Sequence, residues 1–145
     1  MIRGFVYVSS VYGIKPPEGH ICPWCIATGE ASARFQIEFS DGNLLLAAGV
    51  PRSVVDEVML RTPCYHSWQQ EFWLSCCGDA CEFHGDAPRT EIRKLSGVEI
   101  ARISLQSGYP PASLSGLVAA YEPGGNPSFH KFVCRHCGSV KYDVD

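Results

Sequence analysis

The stretch FHKFVCRHCGSVKYDV, residues 129–144, carries the clearest structural pattern in the chain. Residues 129–133 and 140–144 are short runs of β-type residues, and the second run alternates apolar with polar side chains. Such alternation is typical of a strand with one buried face. The two runs enclose CRHCG, residues 134–138, in which two thiols are separated by two residues and followed by glycine. The sequence therefore predicts a β-hairpin with a metal-binding cysteine knuckle at its tip.

Two more close pairs of cysteines precede this knuckle. Cys22-Pro23-Trp24-Cys25 repeats the two-residue spacing, and Cys77 and Cys81 are separated by three residues. Six of the eight cysteines thus stand at spacings that allow two thiolates to bind one tetrahedral zinc ion. The residues alone leave open whether Cys134 and Cys137 pair with the first or the second of these groups.

Two other interpretations of the cysteine pairs remain open. Each pair can be a set of buried free cysteines that act as small apolar residues. Cys22 and Cys25, with proline between them at a predicted helix start, can also form a thioredoxin-type redox dithiol. A redox fold would place alternating strands and helices around the motif, whereas this chain predicts a strand, the knuckle and then several helices.

Composition and charge restrict the classes of function. The 145 residues carry a formal net charge of −3 and no cluster of Lys or Arg, so a nucleic-acid partner is not expected. No apolar run reaches the roughly 18 residues of a membrane span, and residues 1–13 lack the continuous apolar region of a signal peptide. We expect a cytoplasmic protein, and in that reducing compartment paired cysteines are metal ligands more often than disulfides.

The rest of the chain predicts a single α+β domain over residues 1–145. Its parts are an N-terminal strand and the CPWC knuckle in 1–40, a helical body in 51–122 and a β-hairpin knuckle in 128–145. Zinc-ribbon-like knuckles and hairpins would pack on a bundle of short helices. The predicted strand runs from Arg3 to Tyr12, and the predicted helices lie within 26–39, from Ser53 to Thr62, from Ser67 to about Cys76, and over 88–95, 98–105 and 113–121.

Several of these motifs together resemble the CbrC family of small bacterial proteins. The resemblance runs nearly from end to end and rests on the following strings: Arg3-Gly4-Phe5-Val6-Tyr7, Cys22-Pro23-Trp24-Cys25-Ile26-Ala27, Arg61-Thr62-Pro63 with Tyr65, Trp68-Gln69-Gln70-Glu71 with Trp73, Cys77-Gly78-Asp79 with Cys81-Glu82-Phe83, and Cys134 to Gly138. The family takes its name from tolerance to a nuclease colicin. The resemblance therefore implies a role in resisting or neutralising toxins, with some relatives acting as immunity proteins.

The resemblance also implies how the cysteines are used. It favours one zinc site made of Cys77, Cys81, Cys134 and Cys137. Relatives carry a further CxxC before the stretch that matches residues 3–7, so Cys22 and Cys25 would lack their usual partner knuckle here. Cys76 stands where the family has histidine, and Cys64 stands where it has glycine.

The favoured function is that of a non-catalytic zinc protein that binds another protein, such as a cognate toxin. The cluster of Trp68, Phe72 and Trp73 favours core packing. Its alternative role is a partner-binding groove that includes Trp68, Gln69, Gln70 and Glu71. The alternative is an enzyme, either a metal-dependent hydrolase, for which Glu71 and Asp79 are the candidate acids, or a dithiol oxidoreductase. Cys64 and His66 form no convincing nucleophile and base, because no residue that would orient His66 is evident. The sequence does not predict the oligomeric state.

Overall fold

A computed structural model describes residues 4–145 and shows an α+β fold, which confirms the predicted fold class. The helices are short and the sheets are small and antiparallel. The chain forms two compact units, one made of residues 4–66 with 71–80 and the other of residues 67–70 with 81–145. The assignment of residues 1–145 to one domain stays a prediction.

The first unit combines four short helices with two pairs of two-residue strands. Its core contains Ile26 and Phe39, which are almost fully buried. The chain enters α1 through Cys22 as N-cap and Pro23 as first helical residue, and it leaves at Gly29, whose φ of 81° ends the helix. The elements are β1 (Tyr12–Gly13), α1 (Pro23–Thr28), α2 (Glu30–Phe35), β2 (Ile37–Glu38), α3 (Asn43–Ala47), α4 (Arg52–Arg61), β3 (Ser75–Cys76) and β4 (Asp79–Ala80).

The second unit contains a three-stranded antiparallel sheet in the order β5-β6-β7. Helix α6 packs against α7 and β7. The core includes Leu114, Tyr121 and Phe129, all completely buried, and the Tyr121 hydroxyl donates a hydrogen bond to the Ala87 carbonyl. The elements are β5 (Glu82–Asp86), α5 (Arg89–Ile92), α6 (Gly97–Ser107), α7 (Pro111–Ala120), β6 (Phe129–Val133) and β7 (Val140–Val144).

The elements predicted within residues 81–145 are confirmed, with the helix predicted over 88–95 shortened to Arg89–Ile92. Strands β6 and β7 have the predicted bounds and pair from Phe129 opposite Val144 to Val133 opposite Val140. Helix α6 begins with a capping box between Ser96 and Glu99, which satisfies backbone N–H groups that the first turn leaves unpaired. Local sequence signals therefore determine these elements well.

The helix predicted from Ser67 to about Cys76 is wrong. Residues 67–74 form no helix or strand. The carboxylate of Asp145 instead accepts hydrogen bonds from the Ser67 hydroxyl and from the backbone N–H groups of Trp68 and Gln69. Because a carboxylate 76 or more positions away in the chain satisfies these donors, the capping pattern within the segment does not start a helix.

The long N-terminal strand is also wrong over most of its length. Of the predicted residues that the structure describes, only Tyr12 belongs to a strand, and it pairs with Glu38. Arg3 lies outside the described residues. Most of this segment is exposed, including Phe5 and Val8, so its apolar character does not produce a buried strand face.

Within the described part of the chain, no helix combines the length and apolar character needed to cross a membrane.

Candidate metal centre

A tight hairpin presents the first two thiols of the candidate centre. Strands β3 and β4 pair with Cys76 opposite Asp79, which leaves Cys77 and Gly78 as the two loop residues. Their φ values are 53° and 70°, and two positive φ values in succession are the signature of a type I′ hairpin turn. The turn places the Sγ atoms of Cys76 and Cys77 3.9 Å apart, with the Cys77 side chain exposed.

The tip of the β6–β7 hairpin presents the other two thiols. The Cys134 N–H donates to the Ser139 carbonyl at 2.9 Å, and the Gly138 N–H donates to the Cys134 carbonyl at 3.0 Å. Gly138 has a φ of 72°, a conformation that glycine adopts without the strain a Cβ would cause. The predicted knuckle at the hairpin tip is thus confirmed as a backbone structure.

Backbone donors surround the Cys134 sulfur. The N–H groups of His136 and Cys137 lie 3.4 and 3.5 Å from Cys134 Sγ. Donors directed at a sulfur favour its thiolate form, and they orient a metal ligand in the same way that outer hydrogen bonds orient ligating side chains. Cys134 is buried, whereas Cys137 is exposed.

The Sγ atoms of Cys76, Cys77, Cys134 and Cys137 all lie within 4.8 Å of one another. Four sulfurs bound to one tetrahedral ion at about 2.3 Å are separated from each other by about 3.8 Å. The Cys76–Cys77 separation of 3.9 Å already matches this value. The four cysteines can therefore hold a metal ion with only small side-chain adjustments.

This group contains three of the four cysteines in the predicted zinc site. Cys77, Cys134 and Cys137 are present, and Cys76 takes the place predicted for Cys81. Cys81 is buried at the step between β4 and β5. Its role as a ligand stays a prediction.

Spacing arguments missed Cys76 because adjacent residues on a strand project to opposite faces. The positive φ of Cys77 removes that alternation at the turn, so neighbouring thiols approach each other. The signal available in the sequence was Gly78, since a dipeptide that ends in glycine between two short β-type segments is typical of a two-residue hairpin loop.

The other CxxC pair has a different geometry. The Sγ atoms of Cys22 and Cys25 are 2.8 Å apart, and the Cys25 N–H donates to Cys22 Sγ at 3.3 Å. Hydrogen bonding from the Cys25 side chain and then from its backbone N–H lowers the pKa of Cys22, and the same side-chain interaction raises the pKa of Cys25. Among the described residues, these two cysteines belong to no group of three or more candidate metal ligands. Their role as ligands stays a prediction.

The residues predicted to bind a partner are divided between surface and interior. Trp68, Gln69 and Gln70 are exposed, whereas Glu71 is buried. The Glu71 carboxylate accepts a hydrogen bond from the Tyr12 hydroxyl at 2.8 Å and one from the Asp41 N–H at 3.3 Å. The partner-binding role of these four residues stays a prediction.

Cys64 lies in the first unit and is partly buried. Burial is the main cause that raises its pKa to about 12, with the nearby Glu71 carboxylate as the second cause. Its thiol donates to the Tyr65 carbonyl at 3.1 Å. A thiol that keeps its proton at neutral pH is a poor nucleophile and a poor metal ligand.

Comparison with known proteins assigns the family. The model of an uncharacterised protein family, UPF0167, matches residues 2–145. The chain belongs to the UPF0167 family. A UPF0167 protein of Pseudomonas aeruginosa is 50% identical over 144 residues, which cover 99% of this chain and 80% of the relative. UPF0167 proteins of Mycobacterium bovis and Mycobacterium tuberculosis are each 34% identical over 138 residues, which cover 94% of this chain and 74% of each relative.

Membership of UPF0167 corrects the resemblance to the CbrC family. The matching family model and these three relatives carry the UPF0167 name, and none of them carries the CbrC name. Toxin immunity rested on that resemblance and loses its basis with it. No solved structure matches the chain.

Proposed function

We propose that this UPF0167 protein is a non-catalytic zinc protein in which Cys76, Cys77, Cys134 and Cys137 hold a structural ion. The protein would act in the cytoplasm by binding another protein. The observation that carries the proposal is the approach of four thiol sulfurs to within 4.8 Å of one another.

The donor set favours zinc in a structural role. Four sulfur ligands without carboxylate or imidazole suit zinc or iron and disfavour magnesium and calcium. Because four protein thiolates complete a tetrahedral shell, the ion keeps no open position for water or substrate. Such a site stabilises the fold and supplies no hydrolytic chemistry, which supports the non-catalytic part of the proposal.

The small size of the surrounding elements explains why a metal would be needed. Strands β3 and β4 contain two residues each, and an isolated two-stranded hairpin is marginally stable at best in water. A structural zinc ion contributes apparent binding free energies of roughly 10–16 kcal/mol in small zinc-finger peptides. Even a fraction of that free energy would order this hairpin and its exposed Cys77.

Charge and thiol chemistry support the other two parts of the proposal, a protein partner and a location in the cytoplasm. A net charge of −3 without a basic cluster disfavours nucleic acid as the partner. A cytoplasmic reducing environment keeps cysteines as thiols, the state that a thiolate metal site requires.

Metal content tests the proposed centre. Protein purified without added metal or chelator should carry about one zinc per chain by elemental analysis, and Co²⁺ exchanged into the site should show the absorption of a tetrahedral four-thiolate complex. Cys76→Ser and Cys77→Ser should each remove most of the metal, whereas Cys81→Ser should retain it.

Three results would contradict the zinc centre. They are a folded protein that contains no metal, bound iron in place of zinc, or metal retained by Cys76→Ser but lost by Cys81→Ser. The last result would restore Cys81 as the fourth ligand.

Photo-crosslinking in cells tests the interaction. A photoreactive aromatic residue at Trp68, which is 50% exposed, should yield a discrete crosslinked protein. The same residue at Leu105, 89% exposed on α6, is the matched control. Identical crosslinking patterns at the two sites would argue against a specific partner surface at Trp68.

A further inference from the structure

The pair Cys22 and Cys25 is left unused by the four-cysteine centre. We propose that these two residues form a redox-active dithiol that exchanges with the disulfide bond of another molecule, either a small peptide disulfide or a protein. The inference is independent of the metal centre and would stand if that centre proved empty.

The separation of the two sulfurs is closer to that of a disulfide than to that of two zinc ligands. The Sγ atoms are 2.8 Å apart. A disulfide requires about 2.05 Å, and two sulfurs on one tetrahedral zinc ion require about 3.8 Å. Bond formation therefore needs a contraction of about 0.8 Å, whereas shared metal binding needs the sulfurs to separate by about 1 Å.

The backbone holds this pair in place from both sides. Cys22 is the N-cap of α1 with extended backbone, and Pro23 fixes the entry into the first turn. The Cys22 carbonyl accepts the N–H of Ile26, and Ile26 is buried in the core of the first unit. The geometry of this first turn therefore places the side chain of Cys25 beside that of Cys22.

The hydrogen bonds assign different roles to the two sulfurs. Cys22 Sγ accepts the backbone N–H of Cys25 and has the Cys25 thiol as its neighbour. A sulfur that accepts hydrogen bonds is the one stabilised as thiolate, so Cys22 is the attacking sulfur. Cys25 is the resolving thiol, and both side chains are partly exposed to solvent.

The reaction consists of two exchange steps. The Cys22 thiolate attacks one sulfur of a substrate disulfide, which forms a mixed disulfide and releases the first substrate thiolate. Cys25, after losing its proton to solvent, attacks the Cys22 sulfur, and the second substrate thiolate leaves. The products are the Cys22–Cys25 disulfide and two substrate thiols, so the dithiol is oxidised by two electrons and the substrate disulfide is reduced by two.

Thiol trapping in glutathione buffers tests the inference. Metal-loaded protein is equilibrated with graded ratios of reduced to oxidised glutathione, quenched in acid and mapped by peptide mass spectrometry. We expect reversible formation of the Cys22–Cys25 disulfide. In Cys25→Ser, glutathione should accumulate on Cys22. In Cys22→Ser, glutathione should modify Cys25 at least about tenfold more slowly than it modifies Cys22 in Cys25→Ser.

The variants are chosen so that the fold is preserved. Serine is a favoured N-cap residue, so Cys22→Ser keeps the start of α1 capped. Cys64→Ser, which changes a partly buried thiol of the same unit, is the matched control and should behave as the parent protein. A second arm replaces glutathione disulfide with insulin as a protein disulfide, and the faster arm identifies the class of substrate.

The inference is overturned if Cys22 and Cys25 stay reduced both in fully oxidised glutathione and after incubation with insulin. It is equally overturned if Cys25→Ser traps no adduct on Cys22. Loss of bound metal from a variant that carries both Cys22→Ser and Cys25→Ser would show that the pair is a metal ligand instead.

Discussion

The chain contains two CxxC sequences with the same spacing and different structures. Cys134 and Cys137 lie at the tip of a β-hairpin, where two backbone N–H groups point at the Cys134 sulfur and two further thiols lie within 4.8 Å. Cys22 and Cys25 lie at the start of a six-residue helix, with their sulfurs 2.8 Å apart.

The difference shows that spacing alone does not determine the chemistry of a cysteine pair. At the hairpin tip, the Gly138 N–H closes the turn onto the Cys134 carbonyl, and both sulfurs lie within 4.8 Å of two further thiols. At the helix start, the first turn directs one sulfur onto the other. Five substitutions test whether the two pairs differ in this way.

The largest expected effect comes from Cys134→Ser. Removing one of four ligands should abolish tight metal binding and forfeit much of the roughly 10 kcal/mol that a structural zinc ion contributes to folding. Cys22→Ser is the matched change in the other pair and should leave metal content and unfolding midpoint nearly unchanged. Elemental analysis with urea denaturation measures both variants, and equal losses in the two would abolish the distinction between the pairs.

An intermediate effect is expected from Gly138→Ala. A Cβ at this position meets no atom within 4 Å, so the cost arises from the φ of 72° alone. We expect a loss of about 1–2 kcal/mol in the free energy of unfolding, because non-glycine residues are strained in the left-handed region.

Gly116→Ala is the same chemical change, but we expect it to shift the free energy of unfolding in the opposite direction. Gly116 is exposed within α7 and its Cβ would also meet open space, so alanine should stabilise by about 0.5–1 kcal/mol. Thermal denaturation of both variants measures the difference. Equal shifts would show that the backbone of the knuckle is not strained by a side chain.

The smallest change is a shift in the pH dependence of alkylation. Hydrogen bonding from the Cys25 side chain, then from its backbone N–H, lowers the pKa of Cys22, so a larger fraction of Cys22 is thiolate at neutral pH than the ordinary thiol pKa of about 8.5 allows. Cys25→Ala removes the first of these hydrogen bonds and should move the midpoint of the Cys22 rate to higher pH.

Iodoacetamide rates followed by peptide mass spectrometry measure this profile. Cys64 is the internal reference, because its pKa of about 12 should keep it unreactive over the range in which Cys22 reacts. If the alkylation rate of Cys22 has its midpoint at or above the ordinary thiol pKa, the proposed difference between the Cys22 and Cys25 sulfurs is contradicted.

Some parts of this structure were predictable because their signals are local. The alternation in residues 140–144 and the capping box at Ser96 each specify an element from a few neighbouring residues. The prediction failed at residues 67–74 because the hydrogen-bond partner, Asp145, is remote in the chain. No window of the sequence contains both the donors and that acceptor.

Periodicity and spacing were sufficient to predict an α+β protein with a cysteine knuckle between two strands. The folded structure was needed to find which thiols lie together. Cys76 joins the group because the positive φ of Cys77 brings adjacent sulfurs together, and the Cys22 pair lies outside any larger group of ligands among the described residues. Whether a thiol pair has further ligands depends on contacts between residues distant in the chain, and spacing within one motif carries no information about them.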